Sequence, residues 1–316
     1  MFNKQLKFDN LGRFADKKGV VQMMCLLFAN LLLLTLMVSY FPIYVNVVIA
    51  VLIPCLELVF LKLVMFERLK LSTLVIVRLL VFFPIFMPNK FPGGVFVQIV
   101  LSFLLINIFE ATFTDLLKNK MYYNFITGAV LGLSVLLFSG QWLDNAAIMN
   151  TSEIVYSFWY RTDITTLEVV RNKGVFPILS TNYNIPTPDK MAFIATICWN
   201  IAYTLWNWDF VIGEFKTGVA MLHIGILSTP LVGSIIVAAI FKDITLIGGA
   251  WLILRAISLT VGGIFQIAAK NFVETKLYSA KLEKFIQKVK KDDAQAVVMF
   301  ASLLLLLIPI LYFFVG

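Results

Sequence analysis

Apolar residues fall in nine long blocks along this chain, near 19–40, 43–65, 70–88, 93–115, 121–140, 191–214, 217–241, 244–269 and 295–315. Each holds about twenty residues, the length an α-helix needs to cross roughly 30 Å of hydrocarbon. Core helices of soluble domains and strands of membrane barrels give shorter runs. The pattern predicts an all-α fold, a polytopic transmembrane helix bundle of nine spans forming a single domain over 1–316. The first block follows a basic stretch, as the apolar part of a signal peptide does. It is too long for that, lacks an A-x-A-like cleavage site and leads directly into a second block, so it is read as a retained first helix.

The connections between blocks set an orientation, because Lys and Arg accumulate on the cytoplasmic side. The basic segment 1–18 carries Lys4, Lys7, Arg13, Lys17 and Lys18; Arg68 and Lys70 join blocks two and three; Lys118 and Lys120 join four and five; Lys216 joins six and seven. The 270–294 connection adds Lys270, Lys276, Lys281, Lys284, Lys288, Lys290 and Lys291. The intervening connections are poor in positive charge, apart from Lys90, Lys242 and the charge-balanced 141–190 segment. The expected orientation has the N-terminus inside and the C-terminus outside.

Two connections are long enough to carry structure. The extracytoplasmic loop 141–190 is too charged to span, and NTSEIVYSFWYR, from Asn150, opens with capping residues before an aromatic stretch, which predicts an interfacial helix. It is either a surface cap or a lid. Within 270–294, Phe272, Val273, Leu277, Leu282, Phe285, Ile286 and Val289 recur at helical spacing among lysines. This predicts a basic amphipathic helix on the inner leaflet, drawn to anionic headgroups. Docking on a partner is the alternative.

Composition narrows the class. The chain is 60% hydrophobic and 14% charged, with a mean hydropathy of +0.90, far from the range of soluble domains. Its net charge of +8 flanks apolar spans, so it reports topology and anionic lipid rather than nucleic acid. Cys25, Cys55 and Cys198 all lie inside blocks, which leaves no exposed disulfide and no CxxC metal site. GEFKTG lacks the spacing of a phosphate-binding loop, the single histidine sits in no HExxH, and no GxSxG pairs with a base. ATP binding, intramembrane zinc proteolysis and serine hydrolysis are demoted accordingly, and no metal or cofactor is expected. No internal repeat is visible.

Ionisable groups within spans are costly and face a bundle interior, a partner or water. Counted at ~1.5 Å per residue from the inner ends of their blocks, Glu57 and Arg78 both lie ~10–15 Å deep and are natural partners. Asn107, Glu110, Asn124, Thr127, Asn207 and His223 fall within ~5–13 Å of the same boundary. Arg255, near the middle of block eight, is too deep to snorkel; it binds an anionic substrate or balances Glu57 or Glu110. His223 is a proton relay or a hydrogen-bonded packing residue. Gly128 with Gly132, and the pair Gly262 and Gly263, mark close helix packing.

Block six carries the most distinctive chemistry. Asn200, Asn207 and Glu214 recur every seven residues as a polar stripe, with Trp199, Tyr203, Trp206 and Phe210 as an aromatic one beside it. The aromatics form a packed seam, or a stacking and cation-π wall that the Asn and Glu side chains complement. Asp209 points to another face, toward a basic group such as Lys216. The string WNIAYTLWNWDFVIGE, set in this multi-span plan, resembles an uncharacterised family of bacterial integral membrane proteins, a domain of unknown function. The resemblance implies a bacterial inner membrane and carries no activity or assigned residues.

These readings converge on a carrier or channel-like transporter of a small polar or charged solute. Its cytoplasm-side cavity is expected to be lined or supported by Glu57, Arg78, Asn107, Glu110, Asn200, Tyr203, Trp206, Asn207, Glu214, His223 and Arg255, with membrane lipids as partners and block nine peripheral. A membrane enzyme acting on a lipid or isoprenoid, with Glu110 or His223 as acid or base, fits a cytoplasm-side pocket equally well. A sensor or assembly subunit without chemistry is the third reading.

Overall fold

The computed structural model describes residues 17–40, 45, 47–63, 65–86, 94–144, 190–241, 244 and 246–315. The apolar blocks become helices: α1 (Lys17–Tyr40), α2 (Ile53–Phe60), α3 (Met65–Phe86), α4 (Gly94–Thr114), α5 (Tyr122–Asp144), α6 (Lys190–Glu214), α7 (Thr217–Phe241), α8 (Leu246–Ala268) and α11 (Asp292–Val315), with the short α9 (Lys270–Lys276) and α10 (Ala280–Val289) before the last. Among the described residues there is no strand, and the fold is all-α. Two stretches, Thr217–Ile240 in α7 and Asp292–Tyr312 in α11, are long and apolar enough to cross a membrane, with mean hydropathies of 1.9 and 2.5. The interfacial helix expected after Asn150 and most of the basic segment 1–18 lie outside the described residues.

Block two differs from the continuous span expected of it. Its helical part is Val47–Phe60, six residues of π-helix followed by eight of α-helix. At ~1.5 Å per residue this is only ~20 Å of helix. The chain nevertheless returns across the bundle here. Early α1 lies beside Met221 and Leu277, at the end of the bundle where Lys70 of early α3 also meets Gln266 of late α8.

Helix α6 occupies the centre, packing on α5, α7, α8 and α11. Helices α7 and α8 form a tight hairpin that α1 covers, while α4 packs on α5 and α3 leans on α8. Small residues permit the closest approaches. A Cβ on Gly262 would run into the Ile226 side chain, and one on Gly218 would meet the backbone carbonyl oxygen of Val273. Gly128 and Gly132 of α5 likewise face Thr112 with Trp206, and Phe109. The turn between α4 and α5 closes on Lys120, which takes φ 59°, while the Met121 N–H reaches back 3.0 Å to the Asp115 carbonyl. The left-handed conformation is the usual means of ending a helix against its own carbonyls.

The single amphipathic helix expected over 270–294 is two helices instead. Ser279 adopts an extended backbone, and its hydroxyl accepts the Leu282 N–H at 3.2 Å, starting α10 afresh. The apolar face is divided: Val273, Leu277 and Ile286 are buried in the protein, whereas Tyr278 and Phe285 stay exposed. Polar contacts fix this layer. Thr217 donates to Glu283, which holds that carboxyl below the usual carboxylate range. Lys270 donates to Glu67 at 2.7 Å, which raises the pKa of its ammonium. Lys290 lies 3.4 Å from the Gly213 carbonyl, placing a cation at the C-terminal end of α6 where the helix dipole favours one.

Helix α11 has two apolar-rich faces with different fates. Met299 and Leu306, with Gln295 and Ser302, are buried on the side toward α6 and α5; Val297, Phe300, Leu304, Leu307, Leu311 and Phe314 form an exposed stripe. The last block is thus less peripheral than expected. It lends one face to the core and presents the other outward, as a helix bordering lipid would.

Because the Gly218 approach is to backbone, the neighbour cannot give way as a side chain tip would. Gly218→Val is expected to destabilise the protein by about 1–3 kcal/mol, read as a lower midpoint of thermal unfolding in detergent micelles; an unchanged midpoint would show that α7 and α9 are not held this closely.

Candidate functional site

A cavity of about 430 Å³ lies between α3, α4, α6, α7 and α8. Each wall comes from one face of one helix. On α4 and the π-helical turn Asp115–Asn119 that continues it, Asn107, Glu110, Ala111, Thr114 and Lys118 follow the three-and-four spacing of a single stripe, as do Lys70, Thr73 and Leu74 with Leu69 beside them on α3. Helix α6 contributes Asn207, Phe210, Val211 and Glu214; α7 contributes His223, Ile226 and Leu227; α8 contributes Arg255 and Leu259. The opening is marked by Lys118, whose side chain is 66% exposed and pairs with Glu214 at 2.5 Å. The inner end is marked by Arg255, 6% exposed and ~20 Å of helix from the end of α8.

Two polar arrangements organise the walls. Gln266 Oε1 lies 3.3 Å from Lys70 Nζ and 2.8 Å from His223 Nε2. Since a carbonyl oxygen only accepts, both nitrogens donate to it, which puts an imidazole proton on Nε2. The ring itself stacks on Phe215, with centroids 4.6 Å apart. At the inner end, Arg255 Nη2 donates to the Tyr203 hydroxyl at 3.1 Å, and the guanidinium lies 5.5 Å from the centre of that ring. Its Nε and Nη1 are buried without a hydrogen-bond partner among the described residues. This cation has a phenol and a π face for company, and no carboxylate is bonded to it there.

Behind the cavity the aromatic stripe of α6 forms a column. Trp199 stacks on Tyr203 at 5.4 Å, Trp251 of α8 meets both edge-on at 5.9 and 5.3 Å, and Trp206 stacks on Phe210 at 6.4 Å. The polar edges reach outward to α5, with Trp199 Nε1 donating to Ser134 Oγ at 2.8 Å and Trp206 Nε1 to the Asn124 carbonyl at 3.1 Å.

The structure therefore gathers six of the eleven sequence-derived residues on one cavity: Asn107, Glu110, Asn207, Glu214, His223 and Arg255. Tyr203 and Trp206 belong to the packed column, and Tyr203 meets the site only through Arg255. Phe210 and Phe215 are the aromatics that line the cavity. Asn200 is buried higher on α6, outside the lining. Glu57 is buried on α2, which packs on α3 and α8 away from the cavity, and its Oε2 has no partner among the described residues. Arg78 lies on α3, but its side chain is outside the described residues. Lys70 and Gln266 are additions. Gln266 follows Arg255 by eleven residues, three helical turns, so their shared face of α8 was available as a signal.

No family model, curated protein or solved structure matches this chain. The chemistry of the site must be read from its own side chains. Among the described residues no group of three or more His, Cys, Asp or Glu is placed to hold a metal ion. What the cavity offers is hydrogen-bonding amides and hydroxyls, an imidazole and an excess of cationic groups.

A second polar cluster sits beside it. Asp115 accepts from Asn119 at 3.1 Å and from Asn124 at 2.7 Å, and Asn124 in turn holds Trp206. Asp209, one turn beyond Trp206, is buried with neither carboxylate oxygen hydrogen-bonded among the described residues, so the pairing with Lys216 is not made. Burial without a partner costs stability, whereas the Asn124 side chain satisfies the buried Asp115 carboxylate; its bond to Trp206 is made by the backbone carbonyl. Asp209→Leu is expected to stabilise the protein by about 1–3 kcal/mol and Asn124→Leu to destabilise it by a similar amount. Thermal unfolding of the two variants measures this, and a fall for both would mean that Asp209 has a structural partner.

Proposed function

We propose that this protein is a multi-pass carrier or channel-like protein of a cell membrane that moves a small polar or charged solute through the cavity. The observation that carries this reading is the enclosure of polar and charged side chains from five helices, reaching ~20 Å into an otherwise apolar bundle. Such groups are expensive in a membrane unless they face water or a ligand. The cavity volume lies within the range that receives small molecules. The reading includes nine spans with the N-terminus inside and the C-terminus outside, and a bacterial inner membrane. The exposed apolar stripe on α11 and the lysines gathered around α9 and α10 favour it.

One observation favours a second reading. Helices α3 and α4 lean on different neighbours, α8 and α5, and the cavity residues along their facing edges, Leu69, Thr73, Asn107 and Glu110, are exposed. A gap of this kind is where a lipid headgroup would enter from the side, as a membrane enzyme acting on lipid or isoprenoid needs. In that case Glu110, at the gap, is the acid or base.

Transport and topology are tested separately. In vesicles containing the purified protein, Asn207→Ala and Glu110→Gln are each expected to reduce solute flux by about tenfold, the loss of roughly 1.4 kcal/mol of hydrogen bonding or charge in the site. Unchanged flux across a broad metabolite screen, with both variants folded, would sink the carrier reading. Reporter fusions are expected to place the N-terminus inside and the C-terminus outside; both termini on one side would remove one crossing, with α2 the first segment to reassign.

A further inference from the structure

We propose that the ligand of the cavity is an anion, a carboxylate or phosphate group received at the inner end by Arg255 with Lys70 at the side wall. The inference rests on the reading of the cavity as a ligand site and adds the class of ligand to it. The argument begins with charge. Lys118 and Glu214 satisfy one another at the opening, which leaves two cations, Lys70 and Arg255, facing the single carboxylate of Glu110 among the lining residues. All three line the same cavity. The lining therefore carries an excess positive charge, three cationic side chains against two carboxylates.

Placement makes that excess matter. Glu110 is exposed on the α4 edge, and no contact pairs it with Arg255 among the described residues. Arg255 is buried, shielded from water, and bonded to a neutral phenol alone. A guanidinium in a low-dielectric interior without a bound counter-charge is strongly unfavourable, and an anion in the adjoining cavity relieves that cost. Arg is also the residue best suited to planar oxyanions. The rest of the site is consistent with an oxyanion bound at one end of a small molecule. Asn207 and Asn107 offer amide donors, and Phe210 offers an apolar surface for the remainder of the solute.

The same chemistry would receive a free metabolite entering past Lys118 or the phosphate of a lipid headgroup entering between α3 and α4. The test uses the purified full chain in nanodiscs of phosphatidylcholine, titrated calorimetrically with succinate, benzoate and inorganic phosphate, and with choline and glycerol as the cationic and neutral probes. At least one anion is expected to bind. Arg255→Gln and the more peripheral Lys70→Gln should each weaken it by about tenfold or more, and Arg255→Lys should recover part of the loss. Folding of each variant is checked by its thermal unfolding profile. In a parallel arm, nanodiscs containing phosphatidylglycerol are delipidated, and retained anionic lipid is counted by mass spectrometry. Retention that depends on Arg255, without binding of soluble anions, supports the anion site while removing the transport of a free solute. Binding of choline or glycerol that is indifferent to Arg255 and Lys70 overturns the anion assignment and leaves the carrier reading standing. Absence of Arg255-dependent binding in both arms overturns the assignment outright.

Discussion

The position of α6 in the bundle depends on where two of its tryptophans, Trp199 and Trp206, find hydrogen-bond partners. Trp199 and Trp206 are fully buried, and an indole N–H without an acceptor in a membrane or protein interior costs several kcal/mol, on the order of 2–7. Both are met from α5, by the Ser134 hydroxyl and the Asn124 carbonyl. Seven residues apart on one face, the two bonds fix the rotation of α6 about its axis as well as its height. Tyr203, between them, adds a bond to α8 through Arg255. Gly128 makes room for this arrangement, because a side chain there would collide with the Trp206 ring. Once α6 is locked in this rotation, Asn207, Phe210 and Glu214 must look toward α3, α4 and α7, and the cavity has its wall.

The aromatic column and the cavity are two consequences of a single packing arrangement. Large aromatic surfaces at the centre give dispersion and edge-to-face contacts between α6 and α8. The column fills the space above the inner end of the cavity, so Arg255 sits at a boundary: a π face and a hydroxyl on one side, polar space on the other. Tyr203 serves both regions. Its ring belongs to the packed column, and its hydroxyl is the single polar group bonded to the guanidinium among the described residues.

Stability elsewhere comes from small, local devices. The α9 and α10 layer is pinned by Thr217 with Glu283, Lys270 with Glu67 and Lys290 with the end of α6. The exposed Lys270–Glu67 ion pair contributes modestly, and together with the two part-buried contacts it closes the basic end of the bundle beneath α7. Apolar side chains on α9 and α10 that would otherwise lie on a lipid surface are drawn partly into the protein, because Gly218 allows α9 to approach the start of α7 directly.

By itself the sequence determined the helical class, the approximate extent of most helices and the concentration of polar groups toward one end. Those follow from block length and from counting along helices, where the rise per residue is constant. It also specified the face on which each polar residue lies, since helical periodicity fixes that within an element. Which faces meet was decided only by the tertiary structure. Glu57 and Asn200 sit at plausible depths yet point elsewhere, whereas Lys70 and Gln266, unremarkable in their own segments, come together on His223. The split of the 270–294 helix and the shortness of helix in block two were also beyond reach, because each depends on what the neighbouring element offers. Rotation and pairing of helices are set by a few long-range contacts, here the tryptophan N–H groups and the glycines beside them, and one-dimensional periodicity carries no information about partners.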